Sequence, residues 1–391
     1  MSKDQVLGFL KKNTMIIVLL IVLGFFSWQT GGAILLPMNV SNLISQNAYV
    51  FVLATGMLLC ILTGGNIDLS VGSVVCFVGA VGAILMVNHN VPVPLAILIM
   101  ILIGTTIGAF QGFWIAFVRI PPFIVTLAGM LAFRGLSNVV LNGLTVSIKD
   151  KTSFVNLFGG GADCYIPDLF GGASLNLTCL FGGIVAATIL VILQVMGRIK
   201  KKSSGYDLEP VWTFALKVIV LAGVLVLFAY KLAQHKGIPS VLIWVLIVVL
   251  IYGYITSNTT VGRYFYAVGG NEKATKLSGI DPRKVYFWAY FLMSFLAGFS
   301  GLLVASRIGS VDGNMGNSYE MDAIASCFIG GASAYGGSGN VPGVMIGAIL
   351  LGVINQGMSI YGLPDQWQYV VKGAVLLVAV IFDVVSKRKK G

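Results

Sequence analysis

Two stretches of this chain concentrate the groups most able to do chemistry. The first reads Gly64-Gly65-Asn66-Ile67-Asp68-Leu69-Ser70-Val71-Gly72-Ser73. The paired glycines end one helix, and Asn66 and Asp68 offer an N-cap to another that starts near Leu69. A carboxylate inside or beside an apolar span is costly and tends to mark a pathway. Asp68, with Ser70 and Ser73 one turn apart, carries acceptors and hydroxyls suited to a hydroxyl-rich solute. The competing reading is that Asp68 only caps a helix at a membrane surface, and both can hold. A counterpart follows later, where Glu320-Met321-Asp322 precedes Ala323-Ile324-Ala325-Ser326. Asn355, a polar residue inside an apolar run, joins Asn66, Asp68, Ser70, Ser73, Asp322 and Ser326 as a candidate pathway residue.

The second stretch is the polar loop Ser257–Lys284. Asn271 is a good N-cap, and Glu272 falls at the positive end of the helix dipole. Ala274 and Leu277 share one face. Gly279 fits the C′ position after Ser278, with Ile280 packing back in a Schellman close. Asp281-Pro282 then caps the next helix. The spacing predicts a two-turn helix over 272–278, too short to be stable alone. Either the rest of the loop or a partner docking on Ala274 and Leu277 must hold it.

Catalytic patterns are missing. There is no GxxxxGK[ST], no Ser–His–Asp arrangement and no HExxH. Gly336-Gly337-Ser338-Gly339 lacks the lysine and strand of a phosphate cradle and reads as a tight turn between glycine-packed helices. Of the five cysteines none forms CxxC, and His89 and His235 are far apart, which argues against a metal site. Cys164 and Cys179 flank a glycine-rich loop and read as two free thiols, with a disulfide as the alternative. No cofactor is expected on this chain.

The elements that must position these groups are apolar. Of 391 residues 57% are hydrophobic and 10% charged, with a mean hydropathy of +0.93. Soluble domains are nearer half apolar and a quarter charged, so an ordinary soluble enzyme is excluded. The expected fold is all-α, a polytopic transmembrane helical bundle. Apolar segments fall at about 14–36, 47–64, 70–88, 93–117, 122–142, 175–197, 213–231, 239–256, 285–305, 321–336, 341–360 and 366–386. Those at 70–88 and 321–336 are glycine-rich and predicted to be broken or re-entrant. The first run continues through Phe25, Phe26 and Trp28 without a cleavage site and reads as an uncleaved span.

The net charge of +11 would suit nucleic acid, but the basic residues are distributed as in membrane topology. With the N-terminus inside, clusters before the first span, at Arg119, Arg198–Lys202, the 257–285 loop and Lys387–Lys390 bring seventeen basic residues to the cytoplasm, against four outside. That bias puts both termini in the cytoplasm and the 143–174 loop, with Gly159–Gly161, Asp163 and Asp168, outside. A loose repeat is also legible. Gly108-Ala109 leads through Gly112 to Ile120-Pro121, and Gly347-Ala348 leads through Gly352 and Gly357 to Leu363-Pro364. Two five-span halves, 14–142 and 239–386, would be inverted because an odd span count flips the second copy. About ten core spans then remain, with 176–236 as a two-span insert.

Four stretches, Asn66–Ser73, Ile120–Arg134, Gly262–Ile280 and Met321–Gly339, resemble the permease subunits of bacterial ABC importers for ribose, xylose, arabinose and galactose. Similarity runs from about Asn42 to Asp383. The runs Gly262–Asn271, closing in Leu277-Ser278-Gly279-Ile280, and Met321–Ala325 are the most specific. The insert is similar to that of xylose-type and multiple-monosaccharide permeases. Position 66 departs from the pattern, with Asn where the family has Glu, while Asp68 remains. The resemblance implies a second permease copy, an ATP-binding subunit with two nucleotide-binding domains that carries ATP and Mg, and an extracytoplasmic sugar-binding protein received by the outer loop. It implies a place in the bacterial inner membrane and contact with the ATPase through Gly270, Asn271, Glu272, Ala274, Leu277, Ser278, Gly279 and Ile280. The rival is a stand-alone carrier or facilitator, for which the chain offers little coupling-ion material; a lipid enzyme would need a catalytic cluster, and none is present.

Overall fold

In a computed structural model of the full chain, residues 14–161, 164–172, 175–205 and 210–388 are described. Lys3, Lys11, Lys12 and Asp163 lie outside them. The described chain is almost wholly helical: α1 (Thr14–Gln29), α2 (Pro37–Leu62), α3 (Val71–Val87), α4 (Val93–Ala116), α5 (Pro122–Leu141), α6 (Thr152–Leu157), α7 (Leu177–Ser203), α8 (Val211–Ala233), α9 (Ser240–Asn258), α10 (Thr260–Gly270), α11 (Glu272–Leu277), α12 (Pro282–Ile308), α13 (Tyr319–Ile329), α14 (Val341–Tyr361) and α15 (Asp365–Arg388). Two short strands, β1 (Val146–Ser147) and β2 (Ser310–Val311), pair antiparallel, Val146 opposite Val311. Among the described residues eight helices are long and apolar enough to cross a membrane, and three shorter apolar helices lie at 15–29, 71–87 and 366–381. The polytopic helical bundle expected from composition is the observed fold.

Three boundaries differ from the apolar segments. The first helix stops at Gln29, because Gly31 and Gly32 take positive φ before a 3-10 turn at Ala33–Leu35. The second begins at Pro37 rather than near residue 47. Its first turns are rich in Asn and Ser, which lowers hydropathy without preventing helix. The glycine-rich segment predicted over 321–336 ends at Ile329, where Gly330 and a positive-φ Gly331 close it, and the remainder is turn.

The chain forms two compact units. The larger holds residues up to 34, 45–162 and 241–391. In it α2 and α12 are central, and Val52, Leu53, Ala54, Met57, Leu58 and Leu59 are fully buried. Helix α12 packs along α4 and α3, α5 packs on α3, and α13 packs between α14 and α15. The α4–α12 contact depends on small residues four apart. A Cβ on Gly104 would lie 2.8 Å from the Cα of Gly298, and one on Gly108 would lie 2.8 Å from the Phe291 carbonyl oxygen. Close backbone approach of this kind is how apolar helices associate without a hydrophobic driving force between them.

The smaller unit holds 35–44 and 163–240. Here α7 packs against α8, with the Cys179 thiol 3.4 Å from the Ala229 carbonyl oxygen. No disulfide joins Cys164 and Cys179. Asn176 caps α7 by accepting the Cys179 N–H at 2.8 Å. Asp168 accepts backbone N–H bonds from Phe170, Gly172, Leu177 and Thr178. Desolvation pushes the Asp168 carboxyl up, and these four bonds outweigh it and hold the group well below the usual carboxylate range.

Candidate functional site

The break between α2 and α3 is built by Gly64 and Gly65, at φ +118° and +74°. A side chain on Gly65 would run into the Ala334 carbonyl, so the 330–340 turn closes directly over the break. That turn is hydrogen-bonded into place. Ser333 N–H donates to the Ser338 carbonyl, Gly337 N–H to the Leu62 carbonyl at 3.0 Å, and the Tyr266 hydroxyl to the Gly339 carbonyl at 2.9 Å. Gly336 and Gly337 both take positive φ within this turn.

Asp68 is fully buried. It is not the N-cap: Ser70 holds that position, α3 starts at Val71, and no side chain caps it. The Asp68 carboxylate instead bends back on the residue two ahead. Its Oδ1 accepts the Ser70 N–H at 2.8 Å and the Ser70 hydroxyl at 2.7 Å. Gln111, buried in α4, donates to the Ser70 hydroxyl oxygen at 2.9 Å. Asp68 Oδ2 and the Ser73 hydroxyl are buried without a partner among the described residues. Asn66 points elsewhere. Its amide donates to the Thr63 carbonyl at 3.1 Å, and it lines a cavity of about 140 Å³ with Arg119, Pro121 and Tyr286.

The counterpart motif meets this one in space. A Cβ on Gly72, one residue into α3, would collide with Gly316 and Glu320 at the head of α13. Asp322 is buried and pairs with Lys372 of α15, Nζ to Oδ1 3.0 Å and to Oδ2 3.2 Å. The Tyr49 hydroxyl donates to Asp322 Oδ2 at 2.7 Å, and the Tyr49 ring stacks on Tyr319 with centroids 3.6 Å apart. Ser326 is buried but donates its hydroxyl to the Asp322 carbonyl, within its own helix. Asn355 Oδ1 is buried without a partner among the described residues. Asp68, Ser70 and Ser73 thus form one polar focus and Asp322 and Ser326 a neighbouring one, while Asn66 belongs with the residues that carry α11.

Helix α11 follows its capping signals. Asn271 accepts the Ala274 N–H at 3.0 Å, Gly279 has φ +87°, Ile280 N–H donates to the Thr275 carbonyl and Gly279 N–H to the Lys276 carbonyl. These last two bonds are the Schellman pair. Asp281 accepts the Arg283 N–H at the start of α12. Glu272 joins Arg119 at 2.9 Å and accepts the Tyr286 hydroxyl at 3.0 Å, which moors the helix to the α4–α5 corner and to α12. Arg119 itself takes φ +66°. Thr275 is buried beneath the helix, whereas Leu277 is 90% exposed and Ala274 is exposed. Leu277 is thus a large apolar side chain held outward on a doubly capped turn.

Sequence reading missed Gln111, Tyr49, Tyr286 and the mooring role of Arg119. Gln111 carried a signal, as a lone amide inside an apolar run. Arg119 and Tyr49 depend on pairings 153 and 273 residues apart in sequence, and Tyr286 on one 14 residues apart.

Among the described residues no group of three or more His, Cys, Asp or Glu side chains gathers to hold a metal ion. Glycine-packed helices and, among the described residues, eight helices long and apolar enough to cross a membrane define a polytopic helical membrane protein. Residues 39–380 match the family described as branched-chain amino acid transport system, permease component, and the chain belongs to that family. It is a non-catalytic membrane component. It is 36% identical over 376 residues to the xylose transport system permease protein XylH of Escherichia coli K12, covering 96% of this chain and 92% of that one. The Haemophilus influenzae XylH is also 36% identical, over 379 residues and 96% of both chains. The ribose import permease protein RbsC of Haemophilus influenzae is 33% identical over 348 residues, 88% of this chain and 84% of that one. No solved structure matches. The resemblance carried by Asn66–Ser73, Ile120–Arg134, Gly262–Ile280 and Met321–Gly339 is borne out by these relatives.

Proposed function

We propose that this chain is the permease subunit of an ABC importer that moves a monosaccharide such as xylose, arabinose or galactose into the cytoplasm. ATP hydrolysis on a separate subunit with two nucleotide-binding domains drives it. The observation that carries the reading is a near full-length match to xylose and ribose permeases in a chain that presents Leu277 outward on a braced helix. In this reading α11 docks on the ATPase, which binds ATP and Mg, and a sugar-binding protein delivers substrate outside. A second copy of the chain completes the membrane part. Both termini are cytoplasmic, as the basic residues favour.

The pathway runs past Asp68, Ser73 and Asn355, whose buried polar atoms have room for further hydrogen bonds. Ser70, Asp322 and Ser326 shape it, their own polar groups being engaged. The 14–142 and 239–386 halves form the inverted repeat, and 176–236 the peripheral insert, a reading supported by the compact unit that 163–240 forms with 35–44.

The test is uptake of D-xylose and D-ribose into proteoliposomes holding the permease and its ATPase subunit, with the binding protein added outside. Uptake should require ATP and both partners. Equal uptake by the permease alone, without ATP, would make it a carrier or facilitator instead.

A further inference from the structure

An open cleft of about 340 Å³ lies between the end of α12 and the head of α13, lined among others by Ser310, Asp312, Asn314, Asn317, Tyr319 and Tyr369. Its size is at the small end of ligand pockets, about 300–1,000 Å³, which suits a single sugar ring. The lining is polar without being cationic. Asp312 uses Oδ1 to accept the Asn314 N–H at 2.7 Å, which fixes the turn. The Asn314 and Asn317 side chains are exposed, each an amide able to donate and accept at once. Among the described residues no Lys or Arg side chain lines the cleft, and the Arg134 guanidinium is engaged by the Gly313 and Met315 carbonyls.

Two tyrosines complete the cleft. Tyr369 is half exposed, its ring open to an apolar C–H face. Tyr319 is backed by Tyr49, ring on ring. One turn along α13 from Tyr319 lies Asp322, and one turn along α15 from Tyr369 lies Lys372. The ion pair between them, shared by the Tyr49 hydroxyl, therefore lies one helical turn from each of the two tyrosines. Planar polar groups around aromatic faces are what a neutral polyol needs to rest before passage.

We propose that this cleft is a binding station for one neutral monosaccharide, beside the Asp322–Lys372 pair and separate from the Asp68 focus. The inference rests on the importer reading for the identity of the solute. It places the first contact of the permease with sugar on Asn314 and Tyr369, with Asn317 beside them on the lining.

The experiment uses the full-length permease in nanodiscs carrying Cys164→Ser and Asn317→Cys, alkylated with a maleimide. Both changes fall on partly or fully exposed positions. D-Xylose or D-ribose should slow labelling at position 317, and an equal concentration of a non-carbohydrate osmolyte should not. Adding Asn314→Ala should raise the sugar concentration needed for protection about tenfold, the effect of one lost hydrogen bond. Tyr369→Phe should preserve protection and Tyr369→Ala remove it. Labelling rates indifferent to both sugars overturn the station. So does protection that survives Asn314→Ala and Tyr369→Ala together. ATP-driven uptake is measured in parallel with the wild-type complex. Uptake without protection at 317 overturns the station and leaves the importer standing, whereas protection without ATP-driven uptake supports the station and counts against the importer.

Discussion

Replacing Leu277 is the sharpest test of the docking helix. Its side chain is 90% exposed, so nearly all the apolar burial it can gain comes from a partner. Full burial of a leucine contributes about 1.5–3 kcal/mol. Leu277→Ala forfeits most of that and should weaken binding of the ATPase subunit by about tenfold to a hundredfold. Leu277→Asp should weaken it further, because a carboxylate without a partner enters the buried patch. Leu277→Met conserves volume and should bind nearly as wild type. The permease itself should be untouched, since Thr275 and not Leu277 packs inward. The assay is the dissociation constant between purified permease and ATPase subunit, read beside the melting temperature of the permease alone. Gly279→Val provides an independent arm. With φ at +87° the position disfavours a β-branched residue, so the Schellman close should open and the leucine be misdirected. Wild-type affinity in both Leu277→Asp and Gly279→Val would refute the assignment of α11 as the contact.

Three further outcomes follow from the geometry. Lys372→Met leaves the Asp322 carboxylate buried with only the Tyr49 donor, and should destabilise the permease by about 3–5 kcal/mol; adding Asp322→Asn should restore much of the loss, read as melting temperature in detergent. Asp68→Asn keeps an oxygen for the Ser70 bonds and should lower sugar uptake more than it lowers accumulation in the membrane or binding of the ATPase; loss of accumulation alone would make the carboxylate structural. The Asp168 carboxyl is held below its ordinary value, so its contribution to loop order is complete above about pH 4 and is lost as pH falls below that. Hydrogen exchange at Phe170, Gly172, Leu177 and Thr178 should accelerate over that range, and Asp168→Asn should exchange fast at every pH.

What the sequence made legible was local. The caps of α11 follow from Asn271, Gly279 and Ile280 because every bond they make lies within seven residues of its partner. The spans follow from composition, since an apolar run of that length has few other places to go. Errors came where a local rule met a tertiary one. An N-cap at Asp68 requires its carboxylate to accept an amide from the first turn of α3. Burial beside Gln111 favours the shorter loop back to Ser70, so the helix starts later. The start of α2 was hidden because hydropathy scores its Asn and Ser residues as solvent-facing, whereas Ser41 is buried and reaches the Tyr165 hydroxyl.

The contacts that sequence could not carry are those that hold the short helices. Helices of six and eleven residues are not stable in isolation. Each is tied to a longer element by one acidic residue in its first turn, Glu272 to Arg119 at the α4–α5 corner and Asp322 to Lys372 on α15. In both cases a tyrosine hydroxyl shares the carboxylate, Tyr286 for the first and Tyr49 for the second. The pairs differ in exposure. The Arg119–Glu272 pair is half open to solvent and so worth at most about 1 kcal/mol, which suits a helix that must shift when a partner binds. The Asp322–Lys372 pair is shielded, and breaking it leaves a charge stranded. One mooring yields easily and the other does not, and under the proposed importer reading that contrast assigns movement to α11 and closure to α13.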